Sequence, residues 1–209
     1  MSAWAEMMRD TPLVAILRGV APKDAVDIAG ALYEGGIVCV EVPLNSPRPL
    51  ESIKALRTAF DGKMLVGAGT VLTPGDVDEI ETAGGQFIVS PNTDAAVIRA
   101  TKAKGLFSLP GFYSASEAFA AVAAGADALK LFPADNAGPA YVKALKAVLP
   151  PSLPLLAVGG VGEHNVAAFL AAGATGFGLG SSLYKPGDTA DAVGPRAANF
   201  VAALRAARA

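Results

Sequence analysis

A single cysteine, Cys39, rules out an internal disulfide and suits a reducing compartment. With a single histidine as well, His164, no histidine- or thiolate-rich metal centre is expected. Charge is scarce too. Lys and Arg number 17 against 19 Asp and Glu, for a net charge of -2. No basic tail or stripe appears, which argues against a nucleic-acid partner. The stretch Met1–Thr11 carries acidic residues and no apolar core, so no signal peptide is expected. Val166–Tyr184 has no charged residue and is long enough to suggest a membrane span. Four glycines interrupt it, Gly173, Gly176, Gly178 and Gly180, and fit helix, turn and glycine-rich strand better. No membrane partner is expected, and the chain reads as a soluble, cytoplasmic protein.

What the chain has in abundance is apolar sequence, 52% of residues, enough to bury much of it on both faces. Its length suits one domain over residues 1–209. A weak internal repeat organises it, in which a helical segment ends in glycine and an apolar run follows. The junctions are Glu34-Gly35-Gly36, Ala83-Gly84-Gly85, Lys104-Gly105, Ala124-Gly125 and Ala172-Gly173, with Asp61-Gly62 and Pro150-Pro151 as the remaining two. Glycine there supplies a left-handed C-cap before the next strand.

The runs predict strands over Leu13–Leu17, Ile37–Val42, Met64–Gly69, Gln86–Ser90, Leu106–Leu109, Ala128–Phe132, Leu155–Val158 and Gly176–Gly180. Helices are expected over Pro22–Tyr33, Pro47–Phe60, Pro74–Thr82, Asp94–Lys104, Ser114–Ala124, Pro139–Leu149, Glu163–Ala172 and Thr189–Ala207. Near-continuous apolar strands alternating with helices imply parallel pairing under a helical cover. At this length the α/β pattern is a (β/α)₈ TIM barrel. A doubly wound open sheet is the runner-up. It would want a Gly-x-Gly-x-x-Gly after the first strand, where Leu17-Arg18-Gly19-Val20 stands instead.

Active sites of such barrels form at the C-terminal ends of the strands. Three lone charges fall there: Arg18 just after the first strand, Glu41 next to last in the second, and Lys130 near the end of the sixth. An amine inside the apolar run Ala128-Leu129-Lys130-Leu131-Phe132 loses hydration, and that favours its neutral, nucleophilic form. The three charges form either an ion-pair network that closes the barrel top or a set of nucleophile, acid–base group and anion clamp. Their joint placement at the rim favours the second reading. Two glycine-rich turns, Val158-Gly159-Gly160-Val161 and Gly178-Leu179-Gly180-Ser181-Ser182, follow strands seven and eight, where backbone N–H groups commonly hold phosphate. Thr70 could donate to a carboxylate or cap the following helix. Pro91, Pro110, Phe132 and Leu44 could line a small pocket or belong to the core. His164 reads as a surface residue, and Cys39, two residues deeper than Glu41, as packing.

With these residues in place, the chain resembles the class I 2-keto-3-deoxy-6-phosphogluconate/6-phosphogalactonate aldolase family along nearly its whole length. The matching pieces include Ile16-Leu17-Arg18-Gly19, Glu41 in Val-Glu-Val-Pro, Gly67-Ala68-Gly69-Thr70-Val71-Leu72, Ser90-Pro91-Asn92, Leu129-Lys130-Leu131-Phe132-Pro133, Val158-Gly159-Gly160-Val161 and Gly180-Ser181. The resemblance implies Lys130 as Schiff-base lysine, Glu41 as general acid–base and Arg18 as a carboxylate-binding residue that orders the site. It also implies Thr70 at the carboxylate, Gly160, Gly180 and Ser181 at the phosphate, and a homotrimer. Two positions depart from the phosphogluconate branch, which typically has arginine at Asn45 and threonine at Val158. Both departures look like the phosphogalactonate branch.

The implied activity is a cofactor- and metal-free retro-aldol cleavage of 2-keto-3-deoxy-6-phosphogalactonate to pyruvate and glyceraldehyde 3-phosphate, within galactonate catabolism. Phosphogluconate or 4-hydroxy-2-oxoglutarate cleavage by the same mechanism is the alternative. A sugar-phosphate isomerase or epimerase on the same barrel, with Glu41 as base and no covalent bond, is a rival of another class. A phospho-sugar binding protein without turnover is a third.

Overall fold

The computed structural model describes Trp4, Glu6 and residues 8–209. The expectation for Met1–Thr11 therefore falls partly outside the described residues. Nine strand segments follow in order: β1 (Leu13–Ile16), β2 (Cys39–Pro43), β3 (Leu65–Gly69), β4 (Phe87–Val89), β5 (Phe107–Leu109), β6 (Gly111–Phe112), β7 (Leu129–Leu131), β8 (Leu155–Val158) and β9 (Gly176–Leu179). They form one sheet in the order β5-β4-β3-β2-β1-β9-β8-β7-β6, and every pairing is parallel. The fifth expected strand, Leu106–Leu109, is met by β5, and the chain runs on past Pro110 as β6. Proline at 110 has no N–H for a ladder, and the chain changes partner there, β5 lying against β4 and β6 against β7. The Pro110 carbonyl still accepts from Lys130 N–H at 2.9 Å. The two segments are one continuous strand, so the sheet closes into a (β/α)₈ barrel, and the open doubly wound alternative is set aside.

Alternation along the strands sorts the apolar residues into two cores. Leu13, Ala15, Val40, Val42, Val66, Leu129, Leu131, Ala157 and Phe177 point outward and pack against the helices. Val14, Ile16, Cys39, Leu65, Phe87, Val89, Leu109, Ala128, Leu156 and Val158 point into the barrel. Trp4 fills this interior, stacked on Phe107 at 3.9 Å and edge-on to Phe87 at 5.2 Å.

Helix starts follow the expected chemistry. Thr73 and Ser114 make reciprocal capping boxes with Asp76 and Glu117, and Asp94 caps the N–H groups of Ala96 and Val97. Gly125 at φ 100° and Gly173 at φ 103° turn the chain out of their helices into the next strand, a conformation that costs glycine little. Three helices differ from expectation, one of them starting at Val166 rather than Glu163. Pro49 rather than Pro47 opens the second, because Arg48 takes a left-handed conformation before it. The segment Ala134–Lys146 starts five residues ahead of Pro139, with a break at Gly138. The uncharged stretch Val166–Tyr184 divides into the helix Val166–Ala171 and strand β9. None of the described helices is long and apolar enough to cross a membrane.

Candidate active site

Strand parity brings Glu41 inward beside Cys39 and Lys130 inward above Ala128. Both charged residues are buried, Glu41 at 2% and Lys130 at 6% exposure. Glycine makes the room: a Cβ on Gly69 would lie 1.3 Å from Glu41 Oε2. That oxygen is buried and accepts no hydrogen bond. A void of about 10 Å³, water-sized, adjoins Glu41 and Lys130 and is otherwise walled by Ile16, Val89, Leu109 and Val158 among apolar neighbours. Lys130 Nζ lies 5.0 Å from the centre of the Phe132 ring.

Electrostatics push the two groups toward their neutral forms. Burial raises the Glu41 carboxyl above its usual range, against the opposing pull of Lys130 and then Arg18. Burial lowers the Lys130 amine, Glu41 opposes, and the Arg18 guanidinium adds to the lowering. The Cys39 thiol is raised well above its ordinary value by burial and by Glu41, which leaves it an unreactive packing group.

Arg18 stands in the tight turn Leu17–Val20, closed by Val20 N–H to the Leu17 carbonyl at 3.2 Å. Its side chain is exposed, and its Nη1 donates to Asn45 Oδ1 at 2.6 Å. Its charge acts on both Glu41 and Lys130, so the three lone charges share one mouth. They do not form the closed ion-pair network that the plainer reading of the sequence allowed, since Glu41 Oε2 is left unpartnered.

A larger cavity of about 750 Å³ opens beside them, lined by Arg18, Phe132, Val158, Gly160, Gly180 and Ser181 among others. Ile16, Val158 and Gly178 border both this cavity and the small void, so the two adjoin. Gly159 at φ 93° and Gly160 at φ 68° hold the first loop in a left-handed path. At Gly160 a Cβ would collide with Asp135 at 2.3 Å. In the second loop, Gly180 opens a turn in which its carbonyl accepts from Leu183 and Tyr184 N–H. Glycine loops of this kind turn backbone N–H groups toward an anion.

Thr70 and Pro91 stand at the ends of β3 and β4 but line neither cavity. Thr70 takes a left-handed φ of 59°. The cap of the helix beginning at Pro74 is Thr73, so the capping role open to Thr70 is filled by its neighbour. Pro110 and Leu44 also lie outside both cavities. His164 is exposed, as expected, yet it lines the larger cavity together with Lys185 and Tyr184. Its place two residues after Gly159-Gly160-Val161-Gly162 is the signal in the sequence that points there. The assembly offers an amine biased toward neutrality, a carboxyl able to hold or release a proton, a fixed cation and an N–H-rich pocket, all within one barrel mouth.

A family model described as KDPG and KHG aldolase matches residues 5–192. The 2-dehydro-3-deoxy-6-phosphogalactonate aldolase of Escherichia coli (strain K12) is 48% identical over 196 residues, 94% of this chain and 96% of that one. A solved structure described as native KDPGal superposes with a TM-score of 0.93 at 48% identity, over 94% of this chain and 96% of that one. The KDPG aldolase of Legionella pneumophila, with pyruvate captured at low pH as a covalent carbinolamine intermediate, gives a TM-score of 0.82 at 26% identity, over 99% and 98% of the two chains.

Proposed function

Because the chain belongs to the KDPG and KHG aldolase family, we infer that it is a lyase that cleaves 2-dehydro-3-deoxy-6-phosphogalactonate to pyruvate and glyceraldehyde 3-phosphate. The observation that carries the Schiff-base route is Lys130, an amine buried in the barrel and biased toward its neutral form, beside a carboxyl biased the same way.

The neutral Lys130 amine attacks the C2 ketone, and the carbinolamine takes a proton from the Glu41 carboxyl and loses water to give a protonated imine, leaving Glu41 as the carboxylate. That cation accepts the electron pair of the C3–C4 bond as the C4 hydroxyl gives up its proton. Glu41 takes that proton, directly or through one water, and supplies the proton that the resulting enamine takes at C3. Hydrolysis of the imine returns the amine and releases pyruvate. Arg18, which lines the larger cavity, holds the carboxylate, and Gly160, Gly180 and Ser181 hold the phosphate. Phe132 and Val158 form apolar walls. Each step balances with water alone, and no cofactor or metal takes part. We place this activity in a cytoplasmic homotrimer, each chain one barrel domain over residues 1–209, within galactonate catabolism.

Borohydride reduction in the presence of pyruvate, followed by peptide mass mapping, tests the reading. A pyruvyl adduct on Lys130 is expected. No adduct on any lysine, with the sugar phosphate isomerised rather than cleaved, overturns it in favour of a non-covalent isomerase.

A further inference from the structure

Arg18 is exposed, yet its backbone is held on both sides. Leu17 N–H donates to the Glu41 carbonyl at 2.9 Å, and Gly19 N–H donates to Ser46 Oγ at 2.9 Å. Gly19 sits at φ 81°, and Pro186 backs it so closely that a Cβ there would lie 2.7 Å from the proline ring. The partner segment is itself fixed. Leu44 N–H donates to the Gly69 carbonyl at 2.8 Å, Ser46 N–H to the Pro43 carbonyl at 2.9 Å, and Ser46 is buried. Asn45 rides on this turn and accepts from Arg18 Nη1 at 2.6 Å. β2 and the turn that follows it therefore grip the arginine three ways, the strand at the residue before it and the turn at the residue after it and at the guanidinium.

We propose that Asn45, carried on the Pro43–Ser46 turn, is a positioning residue that aims the Arg18 guanidinium across the barrel mouth at the carboxylate end of the substrate. The proposal rests on the aldolase reading above and adds a residue to which that reading gives no role. Its chemistry is specific. An amide oxygen takes one of the five guanidinium N–H donors and leaves the others for a carboxylate. Being uncharged, it fixes the arginine without neutralising it, and no carboxylate pairs with Arg18 among the described residues. A free arginine side chain would sample many rotamers, and substrate would have to order it on binding. Because Asn45 works only through Arg18, its effect must vanish when Arg18 is gone.

The test is a double-mutant cycle with steady-state kinetics. Asn45→Ala is expected to raise KM for the keto acid about tenfold, the loss of one hydrogen bond to a charged group, with kcat within about twofold. In an Arg18→Ala background the same substitution is expected to change nothing further. An unchanged KM in Asn45→Ala, or effects that add in full, overturns the proposal. A second readout needs no turnover: the Arg18 side-chain ¹⁵N–¹H signal is expected to be resolved in the wild type and lost in Asn45→Ala, and identical signals overturn the proposal. An inactive wild type that traps no pyruvate overturns the aldolase reading instead, and the signal comparison still decides the role of Asn45.

Discussion

Gly69 and Glu41 share one small volume: a Cβ at position 69 would lie 1.3 Å from Glu41 Oε2 and 2.4 Å from its carboxyl carbon. β2 and β3 pair in register there, Pro43 opposite Gly69, so neither backbone can step aside without breaking the ladder. Gly69→Ala must therefore drive the carboxyl away from Lys130. Loss of a positioned acid–base group costs about 100-fold or more in rate. We expect a kcat decrease of that order with little change in the circular dichroism spectrum. Near-normal kcat in Gly69→Ala would separate the Glu41 carboxyl from the proton path.

The pH profile follows from the directions of the two shifts. Attack needs the free amine, so kcat/KM falls on the acid side as Lys130 takes up a proton. Burial lowers the Lys130 pKa, and Arg18 lowers it further. The acid limb is therefore expected below the range of an ordinary lysine. Arg18→Ala removes one lowering influence, so the limb moves to higher pH. Measuring kcat/KM across pH for both proteins checks the direction. A limb that stays in place, or moves toward acid, uncouples Arg18 from the amine.

Much of this arrangement was legible in the sequence, for identifiable physical reasons. Glu41 and Lys130 stand out because a charge in a continuous apolar strand has no innocent place to go, and strand parity then points both inward. The glycine junctions stand out because one residue type dominates left-handed helix ends. What escaped depends on contacts between segments distant in the chain. The Asn45 amide meets Arg18 across 27 positions, and nothing local to either residue announces it. His164 borders the larger cavity although it is exposed, and only the glycine loop before it hints at that place. The break between β5 and β6 at Pro110 is foreshadowed by the proline, but the change of partner is decided by closure of the ring.

Glu41 also opposes stability. Its folded-state pKa is raised, so relative to the unfolded chain the folded form holds its proton to higher pH. The favourable contribution is present below the unfolded carboxyl range and is lost as pH rises through the folded value. Above that value the chain keeps a buried carboxylate with one oxygen unpartnered. Glu41→Gln removes the titration. We expect its Tm to match the wild type near pH 4 and to exceed it at pH 8, while turnover falls severely. Thermal melts at the two pH values decide the matter, and a gain that is equal at both would show that ionisation is not its source.

Val158 separates the Lys130 void from the glycine-loop cavity, its side chain buried at 5% exposure and packed so closely on β9 that a Cβ at Gly178 would lie 2.8 Å from its Cγ2. Threonine has nearly the same shape but carries a hydroxyl. Valine offers the substrate no hydrogen bond at this point, between the bond that breaks and the phosphate end. The galacto and gluco substrates differ at the C4 hydroxyl, so a donor or acceptor here can favour one configuration and a methyl cannot. We expect Val158→Thr to raise the gluco-to-galacto ratio of kcat/KM by about five- to tenfold, the worth of one hydrogen bond. Tm should fall modestly, because the new hydroxyl enters an apolar wall. Paired assays with both epimers measure the ratio. A ratio that stays constant while Tm falls would move epimer selection away from this wall and onto the groups that hold the two ends of the substrate.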